Sequence, residues 1–229
     1  MSFITWGTKI YYHQVTGLLL RNSVFCLARE LKGCDTVLDL GCGYNSFIQY
    51  CPPKFSVGVE YFRPYLLESK RRGIHNSYIR ADIRKAEFRP CSFDAVLLLN
   101  VIEHMDRQDV FSLLRKAAAI ARKKIIVISP NGFLHQGAAD GNEFQAHKSG
   151  WRAQELILEG FKAYGANGLK IFRKDSHRAG KQNYESSLLS TIKFKPGIFW
   201  LVIAELSQVI AYFFPDSAFE IFYVKNKAC

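Results

Sequence analysis

Two groups of residues in this 229-residue chain have types and spacings suited to chemistry. The first is TVLDLGCGYNSF, residues 36–47, where an apolar run enters two glycines and then a polar segment that reads as a helix start. Gly41 and Gly43 let the backbone approach a bound molecule closely, and the amides at the start of the following helix would donate to an anion such as a carboxylate. Asp39, two residues ahead of Gly41, is a poor neighbour for a pyrophosphate and a good one for an ammonium or sulfonium. The same carboxylate could instead brace the loop through backbone amides. A dinucleotide fingerprint would need a third Gly or Ala where Ser46 stands. The implied ligand is a nucleoside with a positive, amino-acid-like tail. The second group holds acids and imidazoles: Glu103 and His104 in NVIEHM, then His135, Gln136, Asp140, Gln145 and His147 in NGFLHQGAADGNEFQAHKSG. A histidine can take up a proton near neutral pH without a large pKa shift.

The elements that must hold these residues alternate from Thr36 onward. Short Val- and Ile-rich runs are separated by longer amphipathic segments, the pattern of strand-helix-strand units around a parallel sheet. The pattern predicts strands at 36–40, 56–60, 77–81, 93–99 and 124–129, and helices at 46–50, 64–72, 107–121 and 151–159. LLLRNSVFCLARELKG has helical spacing and stops at Gly33, so residues 1–33 are expected as a helical extension packed on the sheet. Residues 34–229 then form one domain, with two late strands expected near 170–172 and 219–224 and a basic, then apolar, insertion at about 173–217. The apolar stretch GIFWLVIAELSQVIAYFFP carries Glu205, Gln208 and Tyr212 on one helical face. A cover helix or an interfacial helix is therefore preferred to a membrane span.

These motifs, in this order, resemble the class I S-adenosylmethionine-dependent methyltransferases of the small-molecule type (type 11/12-like). LDLGCG is similar to their first motif, with Asn45 where the family often has a third glycine. Glu60, ending SVGVE, matches the acidic residue that accepts from both ribose hydroxyls, with Tyr61 beside it. Asp82 in IRADIR matches the residue that reads the adenine amino group, with Ile83 against the ring. FDAVLLLNVIEHM is similar to the fourth motif, which places Asn100 and Val101 near the methionine moiety. KKIIVISPNG resembles the fifth strand and its loop. The resemblance implies a Rossmann-like, doubly wound α/β fold with a mostly parallel seven-stranded sheet. It also implies S-adenosyl-L-methionine as cofactor, with S-adenosyl-L-homocysteine as product. Asp39, Gly41, Cys42, Gly43, Glu60, Tyr61, Asp82, Ile83, Asn100 and Val101 would bind the cofactor.

A sulfonium methyl is already activated, so transfer needs an aligned nucleophile in a dry pocket and, for a hydroxyl acceptor, a base. His104, Glu103 and His135 are the expected catalytic residues. Gln136, Asp140, Gln145, His147 and Trp151 are expected at the substrate, with Trp151 either walling the pocket or anchoring its helix. N-x-x-E-H resembles the E-x-x-E-H metal triad of some quinone-ring O-methyltransferases of this fold. Asn100 replaces the first carboxylate and leaves two good ligands, so no metal is expected. The N-P-P-aromatic signature of amino-group methyltransferases acting on nucleic bases or glutamine is absent, which favours an oxygen acceptor and makes nucleic acid an unexpected partner.

Composition bounds the rest. Lys and Arg number 31 against 20 Asp and Glu, a net charge of +11, and the 48% hydrophobic share is that of a globular chain rather than a disordered or fibrous one. The surplus lies outside the acidic cofactor positions. It concentrates in 70–72 and 122–124, read as solvated faces, and in the insertion, where Lys170, Arg173, Lys174, Arg178 and Lys181 oppose only Asp175. Next to an aromatic-rich helix, that cluster suits an anionic or lipid-linked acceptor and peripheral membrane contact. The six cysteines form no C-x-x-C pair and read as reduced core thiols. With no visible secretory signal, they point to a cytoplasmic setting. Two other classes remain open: a binding or scaffold protein that keeps this sheet without turnover, and, third, a dinucleotide oxidoreductase.

Overall fold

The computed structural model describes residues 17, 20–174 and 191–227. Its strands are β1 (Thr36–Leu40), β2 (Phe55–Val59), β3 (Ser77–Ile79), β4 (Phe93–Leu99), β5 (Ala121–Pro130), β6 (Lys162–Leu169) and β7 (Ala218–Asn226). They form one seven-stranded sheet in the order β3-β2-β1-β4-β5-β7-β6. Strands β1 to β5 run parallel to their neighbours, whereas β7 is antiparallel to both β5 and β6. The central strands read as unbroken apolar runs because helices cover both faces. On one face, Leu38, Leu40, Val96, Leu98 and Val127 pack against Val110, Leu113 and Ala117 of a helix at Arg107–Ile120. On the other, Val37, Leu97 and Ile126 meet Cys26 and Leu27 of the helix Ser23–Glu30. Strand order reverses between β1 and β4, which opens a crevice at their C-terminal ends.

In chain order the described helices are α1 (Ser23–Glu30), α2 (Arg63–Arg71), α3 (Arg107–Ile120), α4 (Ala153–Leu158), α5 (Gly197–Leu206) and α6 (Gln208–Ala211). Two sequence expectations fail locally. The helix expected at 46–50 is a single 3-10 turn, Phe47–Tyr50, capped by the Ser46 hydroxyl, so it offers no long helix N-terminus to an anion. The strand expected near 170–172 is also a 3-10 turn, and the strand itself is β6, KAYGANGL. Its glycines and alanines hide it from β-propensity. They are there because α5 and α6 press their backbone onto it: a Cβ on Gly165 would overlap the carbonyl of Ala211, and one on Gly168 the carbonyl of Ala204.

The late apolar segment is a cover. Gln208 accepts from the Gly168 amide at 2.8 Å and donates to the Gly165 carbonyl at 2.9 Å. Tyr212 stacks on Tyr164 at 5.0 Å, and Glu205 pairs with the buried Arg173 at 2.5 Å. The opposite face leaves Ile198, Phe199, Val202, Leu206, Ile210 and Phe213 exposed. Among the described residues, no helix is long and apolar enough to cross a membrane.

Several cations read as solvated are structural instead. Arg122 and Lys123 pair with the buried Asp94, and Lys124 with Glu30, where β5 begins. Burial alone would raise the Asp94 pKa, but the amides of Asp35 and Thr36 and these two cations hold it at about 2. Arg72 donates to the Tyr44 carbonyl and to Gln49. Arg173 lies inside the fold, whereas Asp175, Arg178 and Lys181 lie outside the described residues. Cys26, Cys34, Cys42 and Cys51 are free thiols, three of them buried. Cys91 corrects the uniform reading: it sits in the loop before β4 and is disulfide-bonded.

Candidate functional site

The crevice begins at the end of β1. Asp39 is fully buried, and its Oδ2 accepts from Ser46 Oγ at 2.6 Å and pairs with His75 Nε2 at 2.9 Å. This carboxylate therefore braces the turn, although its Oδ1 is buried without a partner. The amides of Gly41 and Cys42 donate to Val59, tying the turn to β2. Gly41 has φ +73°, and a Cβ there would meet Val101 Cγ2 at 2.7 Å. Only glycine adopts this backbone and this contact without strain. Glu60 is set by backbone: its oxygens accept from the Gly43 amide at 3.1 Å and the Phe62 amide at 2.7 Å. Burial raises its pKa against those hydrogen bonds. Asp82 is forked onto Arg84, the closest contact being 2.7 Å, and that pairing lowers its pKa.

At the end of β4, Asn100 takes a left-handed φ of +55°, a conformation asparagine tolerates, and its Oδ1 is buried without a partner. The turn Ile102–His104 follows. Glu103 is 2% exposed, its Oε2 has no hydrogen-bond partner, and burial pushes its carboxyl up to about 8. Burial and the neighbouring His147 push the His104 imidazole down to about 4. The two rings meet edge to face at 4.7 Å. A short run, H-K-S-G-W, locks them together. The amides of Lys148 and Ser149 donate to the Glu103 carbonyl, Ser149 Oγ donates to the Ile102 carbonyl at 3.1 Å, and Trp151 Nε1 donates to Ser149 Oγ at 2.9 Å.

The loop after β5 arches over the crevice. Tyr65 donates to Asp140 at 2.8 Å, Phe144 lies against Tyr61 at 5.1 Å, and Gln136 donates to the Gln145 carbonyl at 2.7 Å. One cavity of about 400 Å³ runs from the glycine turn to β6 and β7. Its walls include every expected cofactor residue, from Asp39 through Val101, together with Glu103, His104, Gln136, Gln145 and His147. Three expected residues are not among its lining. His135 is exposed on the loop, Asp140 sits at the rim through Tyr65, and Trp151 is buried against Phe111 and Arg107 as an anchor.

Sequence reasoning missed the far end. Glu220 of β7 accepts from Asn167 of β6 at 2.6 Å, and both line the cavity with Arg173 and Thr191. Misplacing β6 hid Asn167, and Glu220 is one acid in an apolar strand. His75, the partner of Asp39, follows α2 with no motif to mark it.

Burial, with the charge of Glu205 added, pushes Glu220 up to about 7 against the opposing pull of Arg173 and Asn167. Its folded pKa lies above the ordinary 4.5, so the folded state holds more protons between the two values. The stability it contributes is full below pH 4.5 and is lost as pH rises through about 7. Glu103, pushed up to about 8, adds to the same slope. Chemical denaturation between pH 5 and 8 is expected to show stability falling with pH, with a shallower fall in Glu220→Gln. An equal slope in the variant would contradict the placement of Glu220.

This order of strands, with a reversed last hairpin and a glycine turn at the end of β1, is a Rossmann-like doubly wound arrangement. Residues 38–128 match the family model described as "Methyltransferase domain". Over those residues the chain carries a methyltransferase domain, similar to that of the class I S-adenosylmethionine-dependent methyltransferases. It is 27% identical over 99 residues to "Probable (S)-tetrahydroprotoberberine N-methyltransferase 2" of Papaver bracteatum, covering 39% of this chain and 27% of that protein. It is 25% identical over 162 residues to N-methyltransferase 4 of Papaver somniferum, covering 66% of this chain and 44% of that one. The chain thus spans less than half the length of either relative. Among solved structures, a SAM-dependent methyltransferase from Archaeoglobus fulgidus shares the fold, with TM-score 0.52 and 15% identity over 93% of this chain and 98% of that one.

Proposed function

We propose that the protein transfers a methyl group from S-adenosylmethionine to a hydroxyl of a small or medium-sized acceptor. The cofactor supplies an electrophilic methyl on a sulfonium. The residues present fit it: a cradle at Gly41 that any Cβ would fill, and unpartnered buried oxygens on Asp39 and Asn100. In this reading Glu60, held by two amides, accepts from the ribose hydroxyls, and Asp82 with Ile83 faces the adenine. Asn100 and Val101 bound the methionine end. The acceptor enters between the imidazoles and the Asn167–Glu220 pair.

The observation that carries the oxygen reading is the orientation of the two imidazoles. His104 Nδ1 faces the Ala146 carbonyl at 3.3 Å and His147 Nδ1 faces the Leu134 carbonyl at 2.6 Å. A carbonyl only accepts, so each Nδ1 carries the proton and each Nε2 carries the lone pair. In this reading His104 would take the proton that the acceptor hydroxyl gives up as its oxygen is methylated, the demethylated donor being a neutral thioether. The carboxyls of Glu103, buried, and Glu220, half-buried, in the same cavity favour a second reading, an amine acceptor. The exposed apolar face of α5 and α6, flanked by Lys193 and Lys195, supports an acceptor carried on an anionic surface.

The test offers labelled S-adenosylmethionine with phenols, sugar alcohols and primary amines, free or in anionic vesicles. Label on hydroxyl compounds is expected, with kcat about 100-fold lower in His104→Ala, the scale of one general base. Transfer to amines alone would overturn the oxygen reading.

A further inference from the structure

We infer that Glu103, His104 and His147 form a binding site for a first-row divalent cation at the acceptor end of the cavity. One ligand atom from each residue lies within 4.8 Å of the other two. A site built from bonds of about 2.1 Å has ligand-to-ligand edges of about 3.0–3.4 Å, so donors at the 4.8 Å limit need to close by about 1.5 Å. Such a cluster alone would carry little, but three independent features of this one point to a ligand.

First, the Glu103 side chain is almost wholly buried, yet its Oε2 has no hydrogen-bond partner, and the same holds for Asn100 Oδ1 one turn earlier. Both residues line the cavity, so these oxygens are desolvated, unpaired acceptors in its wall. Second, both imidazoles set Nδ1 against a main-chain carbonyl, at 3.3 Å for His104 and 2.6 Å for His147, which fixes each ring plane and, with the proton on Nδ1, makes Nε2 the donor atom. This is the outer-shell arrangement that orients metal-bound histidines. Third, the ligand frame is preassembled by backbone. The amides of Lys148 and Ser149 both donate to the Glu103 carbonyl, and the Trp151–Ser149–Ile102 chain fastens the His147 segment to the His104 turn. Two imidazoles and a carboxylate suit Mn²⁺, Co²⁺ or Zn²⁺ better than Mg²⁺ or Ca²⁺.

The inference revises the sequence expectation of no metal. There, N-x-x-E-H offered only two ligands; the third comes from His147, 43 positions after His104, and no local spacing marks it. The site's role in turnover rests on the proposed transfer and deepens it, whereas the cation site itself stands on the geometry above. A cation here would occupy His104 Nε2, so the acceptor's oxygen, held beside Asn100 with its pKa lowered, would give up its proton to solvent and not to His104.

The experiment titrates Co²⁺ into tag-free, chelator-treated full-length protein and reads visible d–d absorption, with S-adenosylhomocysteine calorimetry run in parallel without metal. One equivalent of Co²⁺ is expected to give a d–d band. His147→Ala should lose it, Glu103→Gln should weaken binding at least tenfold, and His135→Ala should leave it unchanged. Circular dichroism checks that each variant is folded. No band in the wild-type protein, or an unchanged band in either folded ligand variant, overturns the site. If the site fails while S-adenosylhomocysteine binds, the transferase reading stands; if Co²⁺ binds and S-adenosylhomocysteine does not, that reading fails and the metal site stands.

Discussion

Gly41→Arg is expected to weaken S-adenosylhomocysteine binding at least about 100-fold while the chain stays folded. The cause is local. Gly41 follows the last residue of β1 with φ +73°, and a Cβ alone would press on Val101 Cγ2 at 2.7 Å. Left-handed backbone in a non-glycine residue costs about 1–2 kcal/mol, and the guanidinium would then project where the two sides of the crevice meet. The Gly41 amide is itself engaged, donating to Val59 at 2.8 Å, so the turn cannot relax without loosening β2 and the Glu60 beyond it. Gly41→Ala separates the effects, since it brings the strain and the Val101 contact without the long side chain, and an intermediate loss is expected. Calorimetry reads both variants. Affinity within threefold of wild type for Gly41→Arg would mean that this turn is not where the cofactor sits.

Gly168→Ala is expected to lower stability by about 3 kcal/mol, the sum of an overpacked contact and a strained φ. For a chain of this size that corresponds to a melting temperature lower by about 10 °C. Gly168 has φ +75°, and its Cβ would overlap the carbonyl of Ala204 in α5. The neighbouring contacts are equally tight: the Gly168 amide donates to Gln208, and the Leu169 amide to Ser207 Oγ at 2.8 Å. Moving the cover away would also break Arg173 from Glu205 and open the far wall of the cavity. Gly137 is the control, since nothing lies within 4 Å of a Cβ there, and Gly137→Ala should stay within about 0.5 kcal/mol. Differential scanning calorimetry compares the two, and equal melting temperatures would contradict the packing of α5 on β6.

Gly165 and Gly168 of β6 show where sequence reasoning runs out. Strands β1, β4 and β5 were legible because covering on both faces demands Val, Ile and Leu without interruption, and β2 and β7 were placed to within a few residues. Strand β6 was not legible, because close approach of a helix backbone selects Gly and Ala, which carry no strand signal. The crevice followed from β1 and β4, and the strand-end rule brought Glu60 and Asp82 to its wall. The partners of those residues could not be read. His75 reaches Asp39 from 36 positions away, and Glu220 reaches the cavity from the last strand. The charge surplus also changes meaning in three dimensions. Arg122, Lys123, Lys124 and Arg173 pair with buried or half-buried acids, so part of what read as a binding surface is internal scaffolding.

The central claim is that the crevice at the ends of β1, β2 and β4 holds the methyl donor. Isothermal titration of S-adenosylhomocysteine into the full-length protein tests it most directly. One molecule per chain is predicted to bind, with the loss in Gly41→Arg described above. No detectable heat at millimolar ligand, together with no thermal stabilisation, would contradict the account.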